Sequence, residues 1–273
     1  MNTQALDYNQ YLRIADGTYW VGFANPGAGL HCNPYLIVDG GEAVLIDSGS
    51  RNDFSTVMLK IMRTGTNPGQ IRRLIYQHHD PDLCGNIPHM EALINSDELR
   101  IISHRESNIF IDYYGAKSPK DCIEELSLRY TFASGRELRF IRTPYAHAPG
   151  SFMTYDTKTR VLFTSDLFGS YDRCWSLYSR IGDRCLGCTP GEPCPVTGET
   201  CEIDGILAFH RCNMTSSRAL QYALTQVEAL DVSLIAPQHG SLLHTEAARK
   251  AVIGHLKRLT RVGIEDFLEE AGL

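Results

Sequence analysis

No stretch of this 273-residue chain approaches the run of ~18 apolar residues that a membrane-spanning helix needs. Its first residues, MNTQALDYNQYLR, lack the apolar core of an export leader. There is no basic run, and the formal net charge is -6, so the electrostatic footprint of a nucleic-acid surface is missing. Short-period repeats and low-complexity tracts are absent too. These absences lead us to expect a soluble, cytoplasmic protein with no membrane or nucleic-acid partner. The nine cysteines are an odd number, which together with the missing leader argues against a secreted disulfide framework. Length and apolar content suit one sizeable α/β domain over residues 1–273.

What is present reads as strands alternating with helices. Residues 18–23, 35–39 and 43–47 have strand composition broken by Pro and Gly turns. Phe54, Val57, Met58, Ile61 and Met62 recur at helical spacing, with Asp53 placed to cap them. A strand over 71–76, a helix near 86–94 and a strand near 100–103 follow. In the second half a strand covers 137–141. The segments FMTYD and RVLFT bracket a DTKT turn as a hairpin. Leu220, Ala223, Leu224, Val227 and Leu230 form a helical stripe behind Ser216 and Ser217. A strand at 232–236, a helix near 245–260 and a short helix near 264–270 close the chain. Strand blocks with helices in both halves predict a layered α/β sandwich.

Four apolar strands end in loops that carry His or Asp: His78 with Asp80 and Asp82, then His147, Asp166 and His239. Strand ends are rigid, so side chains placed there can converge on one point. In an extended loop the alternate spacing of His78, Asp80 and Asp82 would turn all three to one side. Taken singly, each residue fits a solvated or capping role; the joint recurrence favours a metal site.

The segment QHHDPDLCG (77–85) resembles the signature loop H-x-[HED]-x-D-H-x-G of the metallo-β-lactamase superfamily. Asp47, Ser48 and Gly49 resemble its D-[TS]-G element, and His147, Asp166 in TSDLF and His239 in APQHG fall where its later ligands fall. The resemblance spans nearly the whole chain and implies an αβ/βα four-layer sandwich. Asp80 stands where hydrolases of the fold usually have His, and AFHRCNMTSS (208–217) also resembles the flavodiiron branch and its smaller oxygen-binding di-iron members. Carried over by position, the resemblance implies one iron held by His78, Asp80 and His147, a second held by Asp82 and His239, and Asp166 bridging them. Leu83 departs from the pattern, since it stands where the family has another His ligand. We expect an open coordination position there, with substitution by His79 or Cys84, or weak occupancy, as the other readings.

Carboxylate with imidazole suits iron or manganese better than zinc. Two ferrous ions supply two electrons, whereas reduction of dioxygen to water takes four. The flavodiiron relatives carry a flavodoxin domain, and the metal motif here occupies the whole chain, so we expect no flavin on it. Dioxygen binding or sensing by two Fe ions (Fe2+/Fe3+), with nitric oxide as a further ligand, is the expected function. A reductase of dioxygen or nitric oxide fed by an external electron donor is the alternative, and a metal-dependent hydrolase the second alternative. A redox or signalling protein is the expected partner, and a homodimer is left open. Around the ligands, Asp47 is expected to accept an N–H from a ligand histidine, and His31, His79, Leu83, Tyr145 and His210 to line or support the pocket. His89, His104, His244 and His255 are read as structural or exposed.

A Gly/Pro-rich insertion at about 174–201 carries Cys185, Cys188, Cys194 and Cys201 in a C-x2-C-x5-C-x6-C run. Four thiolates in seventeen residues can enclose zinc or an iron–sulfur centre. A reduced loop or a local disulfide is the plain alternative.

Overall fold

The computed structural model describes residues 6–24, 29–30, 32–171 and 174–272. His31, expected near the pocket, lies outside them. The first half builds a seven-stranded sheet in chain order: β1 (Leu12–Ala15), β2 (Thr18–Trp20), β3 (Tyr35–Asp39), β4 (Glu42–Ile46), β5 (Ile71–Ile75), β6 (Arg100–Ser103) and β7 (Lys120–Cys122). The second half builds a five-stranded sheet from β8 (Arg129–Thr131), β9 (Glu137–Arg142), β10 (Phe152–Asp156), β11 (Val161–Phe163) and β12 (Leu234–Ala236), in the order β12-β11-β10-β9-β8. The expected hairpin is β10–β11, with Thr154 opposite Phe163 and Asp156 opposite Val161.

Three apolar cores define four layers. Trp20, Tyr35, Val44 and Ile75 of the first sheet meet Phe140, Phe152, Phe163 and Ala236 of the second between the sheets. Outside the first sheet, α1 (Phe54–Arg63), the one-turn α2 (Pro81–Cys84) and α3 (Ile87–Ile94) pack on Leu36, Leu45 and Leu74. A further helix, α4 (Arg105–Ile111), follows β6. Outside the second sheet lie α5 (Glu202–Asn213), α6 (Ser217–Glu228) and α7 (Glu246–Lys257), before the terminal α8 (Ile264–Glu270). Strands with helices covering their outer face must be apolar on both sides, which explains their near-continuous apolar runs.

Some local expectations need correction. Asp53 does not cap α1 through its side chain; its carboxylate accepts the Ser50 N–H at 2.7 Å and closes a tight turn instead. Met62 is 47% exposed, while Lys60 is buried in its place. The Lys60 stem packs as an apolar chain, and its ammonium donates to the carbonyls of Tyr8 and Gly22 and lies 4.1 Å from the Trp20 ring centroid. Helix α5 was not anticipated: it starts directly after the cysteine insertion, and Gly205 weakens its helical signal.

A buried ion pair ties the sheets together. Arg136 donates from Nε to Asp156 Oδ1 at 3.1 Å, from Nη2 to the second oxygen, and to Thr18 Oγ1 on β2 at 2.9 Å. Both charged side chains are shut off from solvent, so removing one partner strands the other. We expect Asp156→Ala to cost about 3–5 kcal/mol of unfolding free energy. Urea denaturation checks this, and a loss below about 1 kcal/mol, the range of exposed pairs, would contradict it.

Candidate metal centre

The loops that carry the candidate donors leave the strands under tight local control. After β5, Gln77 is buried, and its side-chain amide donates to the carbonyls of Phe152 and Phe163 at 3.0 and 2.9 Å. This clamp reaches across to the second sheet and fixes the start of the 78–82 loop. Pro81 at the first helical position keeps Asp80 extended, and Asp80 caps α2 through its backbone alone, which leaves its carboxylate free. The loop is therefore not extended throughout: His78 and Asp80 lie beside His147, and Asp82, inside the first turn of α2, lies beside His239 and Cys32.

Asp166 follows β11 in a turn closed by Gly169 N–H to the Asp166 carbonyl at 2.8 Å. A Cβ on Gly169 would stand 2.5 Å from the Phe209 ring, so only glycine lets α5 approach this closely. His239 follows β12. Its loop is pinned from the first sheet by Asn33, whose amide donates to the carbonyls of Pro237 and Gly240 at 3.1 and 2.9 Å, and by the Tyr35 hydroxyl on Pro237 at 2.7 Å.

These loops bring all six candidate donors to one place, in two groups. His78, His147 and Asp166 form one; Asp82, His239 and Cys32 form the other, with donor atoms in each lying within 4.8 Å of one another. Asp80 joins the first group, its Oδ2 lying 3.4 Å from His147 Nε2 and 3.6 Å from His78 Nε2. Asp166 stands between the groups. Its Oδ2 is 3.1 Å from His147, and its Oδ1 is 3.8 Å from His78 and 3.7 Å from His239. His239 Nε2 lies 3.2 Å from Asp82 Oδ2. His78 Nε2 and Asp166 Oδ1 are buried without a hydrogen-bond partner. Two such orphaned atoms facing one space are costly unless something bridges them. Divalent cations take this donor set, and the residues fit a pair of them.

The electrostatics agree. Burial alone would lower the His147 pKa, but hydrogen bonds to Asp166 and Asp80 push it up to about 10. Burial would raise Asp166, yet His78, His239 and His147 hold it well below the usual carboxylate range. Asp80 is lowered in the same way, by His147 and His78 against burial. The carboxylates thus demand positive charge beside them, as protons on the imidazoles or as metal ions. The side chains of Asp80, Asp82 and His147 are 36, 32 and 22% exposed, so the site opens to solvent on their side.

The surrounding residues are placed differently from expectation. The hydrogen bond that orients His78 joins its Nδ1 to Ser165 Oγ at 2.8 Å, not to Asp47. Asp47 accepts the Gln77 N–H at 3.3 Å; burial, with Asp82 and Asp166 adding to it, raises its pKa to about 7. His210 has both ring nitrogens engaged, with the Ile206 carbonyl at 2.7 Å and the Phe168 N–H at 3.0 Å, and burial lowers it to about 4. It braces the turn after Asp166, while its neighbour Phe209 packs on the His239 ring with centroids 5.7 Å apart. His79 stacks on Phe110, away from the donors. Leu83 is buried in the helix-side core of the first sheet, and Cys84 directs its thiol to the His78 carbonyl. Tyr145 is 53% exposed, in a surface groove with Thr215 and Tyr222. Of the metal-free expectations, His255 is buried and donates to the Cys185 carbonyl at 2.8 Å.

Cys32 is the residue that the sequence reading missed. Its thiol is buried, donates to Asp82 Oδ2 at 3.4 Å and is raised to about 12 by burial. The available signal was its position next to His31 and Asn33, directly before β3.

The chain resembles known proteins over most of its length. It is 28% identical over 76% of its length to putative diflavin flavoprotein A 2 of Synechocystis, and 25% identical over 90% to type A flavoprotein fprA of Rhodobacter capsulatus. It spans 33% and 55% of the length of these two curated relatives. A solved structure described as the peroxy diiron species of the chemotaxis sensor ODP matches with TM-score 0.72 and 22% identity, over 96% of this chain and 99% of that one. The flavodiiron protein from Giardia intestinalis matches with TM-score 0.71 and 20% identity, over 93% of this chain and 60% of that one. The fold is thus the metallo-β-lactamase sandwich that the 77–85 motif implied. The family model for ODP family β-lactamases matches residues 30–240, and the chain belongs to that family.

Proposed function

We propose that residues 1–273 form one domain, with an insertion near 174–201, that binds dioxygen at a pair of iron ions. The observation that carries this reading is the position of Asp166, one carboxylate between two donor groups, with its own Oδ1 and the facing His78 Nε2 buried and without a hydrogen-bond partner. His78, Asp80 and His147 would hold one iron, Asp82 and His239 the other, and Asp166 would bridge them. The likeness in fold to a protein described as a chemotaxis sensor supports sensing as the use of the site.

When bound, the two ferrous ions would supply the two electrons that a dioxygen ligand takes up. The protein's part is to hold and shield. Ser165 orients His78, Phe209 provides an apolar wall against His239, and the Gln77 and Asn33 clamps keep donors from both sheets in register. Cys32 lies where it could give the second iron the third non-bridging donor that Leu83 cannot supply. A coordinating thiol is deprotonated by the cation itself, whatever its resting preference.

Anaerobic reconstitution followed by mixing with oxygen tests the main reading. We expect two iron ions per chain and uptake of one dioxygen per pair, with a visible absorbance change and no continued consumption. Sustained turnover with excess reductant would make the protein a reductase, and retention of zinc alone would favour a hydrolase. Ser165→Ala should weaken iron binding by about 10–100-fold, the range for losing such an orienting bond; competition with a chelator measures it. Cys32→Ser should remove a sulfur neighbour from the iron-edge X-ray absorption of wild type and lower iron retention at the second position. Identical absorption in the two proteins would exclude Cys32 as a ligand.

A further inference from the structure

The cysteine insertion plays no part in the site just described, yet its four thiols are brought together. Cys185, Cys188, Cys194 and Cys201 line one cavity of about 110 Å³, together with Ile181, Thr197 and Ile203. All four pack against the core beneath α5, α6 and α7, and none is in a disulfide. Cys185 and Cys188 share one turn, whereas Cys194 and Cys201 come from further along the loop, so that their common cavity follows from the loop's path rather than from sequence adjacency alone.

The first two cysteines are folded onto each other: the Cys188 thiol donates to the Cys185 carbonyl at 3.5 Å and lies 3.8 Å from His255 Nε2. Cys201 is the N-cap residue of α5 by its backbone, with no capping hydrogen bond from its side chain. Thr197 beside Cys194 lowers that thiol's pKa, whereas burial raises those of Cys188 and Cys201 and the neighbouring sulfurs raise them further, so four thiolates could not coexist there uncompensated.

We propose that Cys185, Cys188, Cys194 and Cys201 form a four-thiolate site for one thiophilic divalent ion, zinc in the first instance, which staples the insertion to the start of α5. Binding releases the remaining thiol protons to solvent and involves no redox step. A zinc–sulfur distance of about 2.3 Å draws the sulfurs closer than they stand here, where they do not form a group within 4.8 Å. The loop therefore tightens on loading. C-x2-C supplies one half-site, and Cys194 with Cys201, on the same cavity wall, supplies the other. The proposal is independent of the iron reading, because it uses none of the same donors.

The full chain, purified without chelator, tests it through metal content and thiol protection. We expect one zinc per chain that disappears in the Cys188→Ser/Cys194→Ser variant while the content of the other centre is unchanged. Cobalt substituted into wild type should give intense sulfur-to-cobalt absorption that the variant lacks. Should the variant not fold, alkylation of wild type followed by mass spectrometry decides the question. Protection of Cys185, Cys188 and Cys194 only when zinc is present supports the site. Equal labelling with and without zinc, disulfides in anaerobically prepared protein, or iron with labile sulfide at these cysteines would overturn it.

Discussion

The arrangement of the molecule turns on one buried carboxylate. Asp166 lies among the imidazoles of His78, His147 and His239, at 3.1–3.8 Å, with almost no access to water. A buried charge is tolerable only when opposite charge surrounds it and its remaining lone pairs are used. That requirement holds the ends of β5, β11 and β12 and the loop after β9 at a common point. It also explains why the polar clamps gather there. Gln77 reaches from the first sheet to the second, and Asn33 and Tyr35 reach from the first sheet to the loop of His239.

The two donor groups differ in character. The group of His78, Asp80 and His147 is made of imidazole and carboxylate alone, oriented from behind by Ser165. The other places a thiol beside Asp82 and His239 and is backed by the Phe209 ring. A softer donor on one side would give two metal positions different chemistry even if both used Asp166. Helix α5 lies between the cysteine insertion and the donors. Its N-cap is Cys201 of the insertion, and its last turns carry Phe209 and His210, about 12 Å further along at 1.5 Å per residue. One helix thus runs from the cysteine loop to the wall of the candidate metal centre.

The sequence by itself determined the strand blocks, the major amphipathic helices and which six residues to consider as donors after strand ends, because periodicity and the H-x-D-x-D spacing are local signals. The departure at Leu83 was legible for the same reason. Only the tertiary structure decided which residues stand around the donors. Ser165 rather than Asp47 orients His78, His210 spends both nitrogens on backbone, and Cys32 approaches Asp82 across fifty residues of chain. Lys60, too, reads as a surface residue until the carbonyls of Tyr8 and Gly22 are found above it. In each case the partner comes from a distant segment, and hydrogen bonds and metal donors are chosen by distance in space, which a local pattern does not encode.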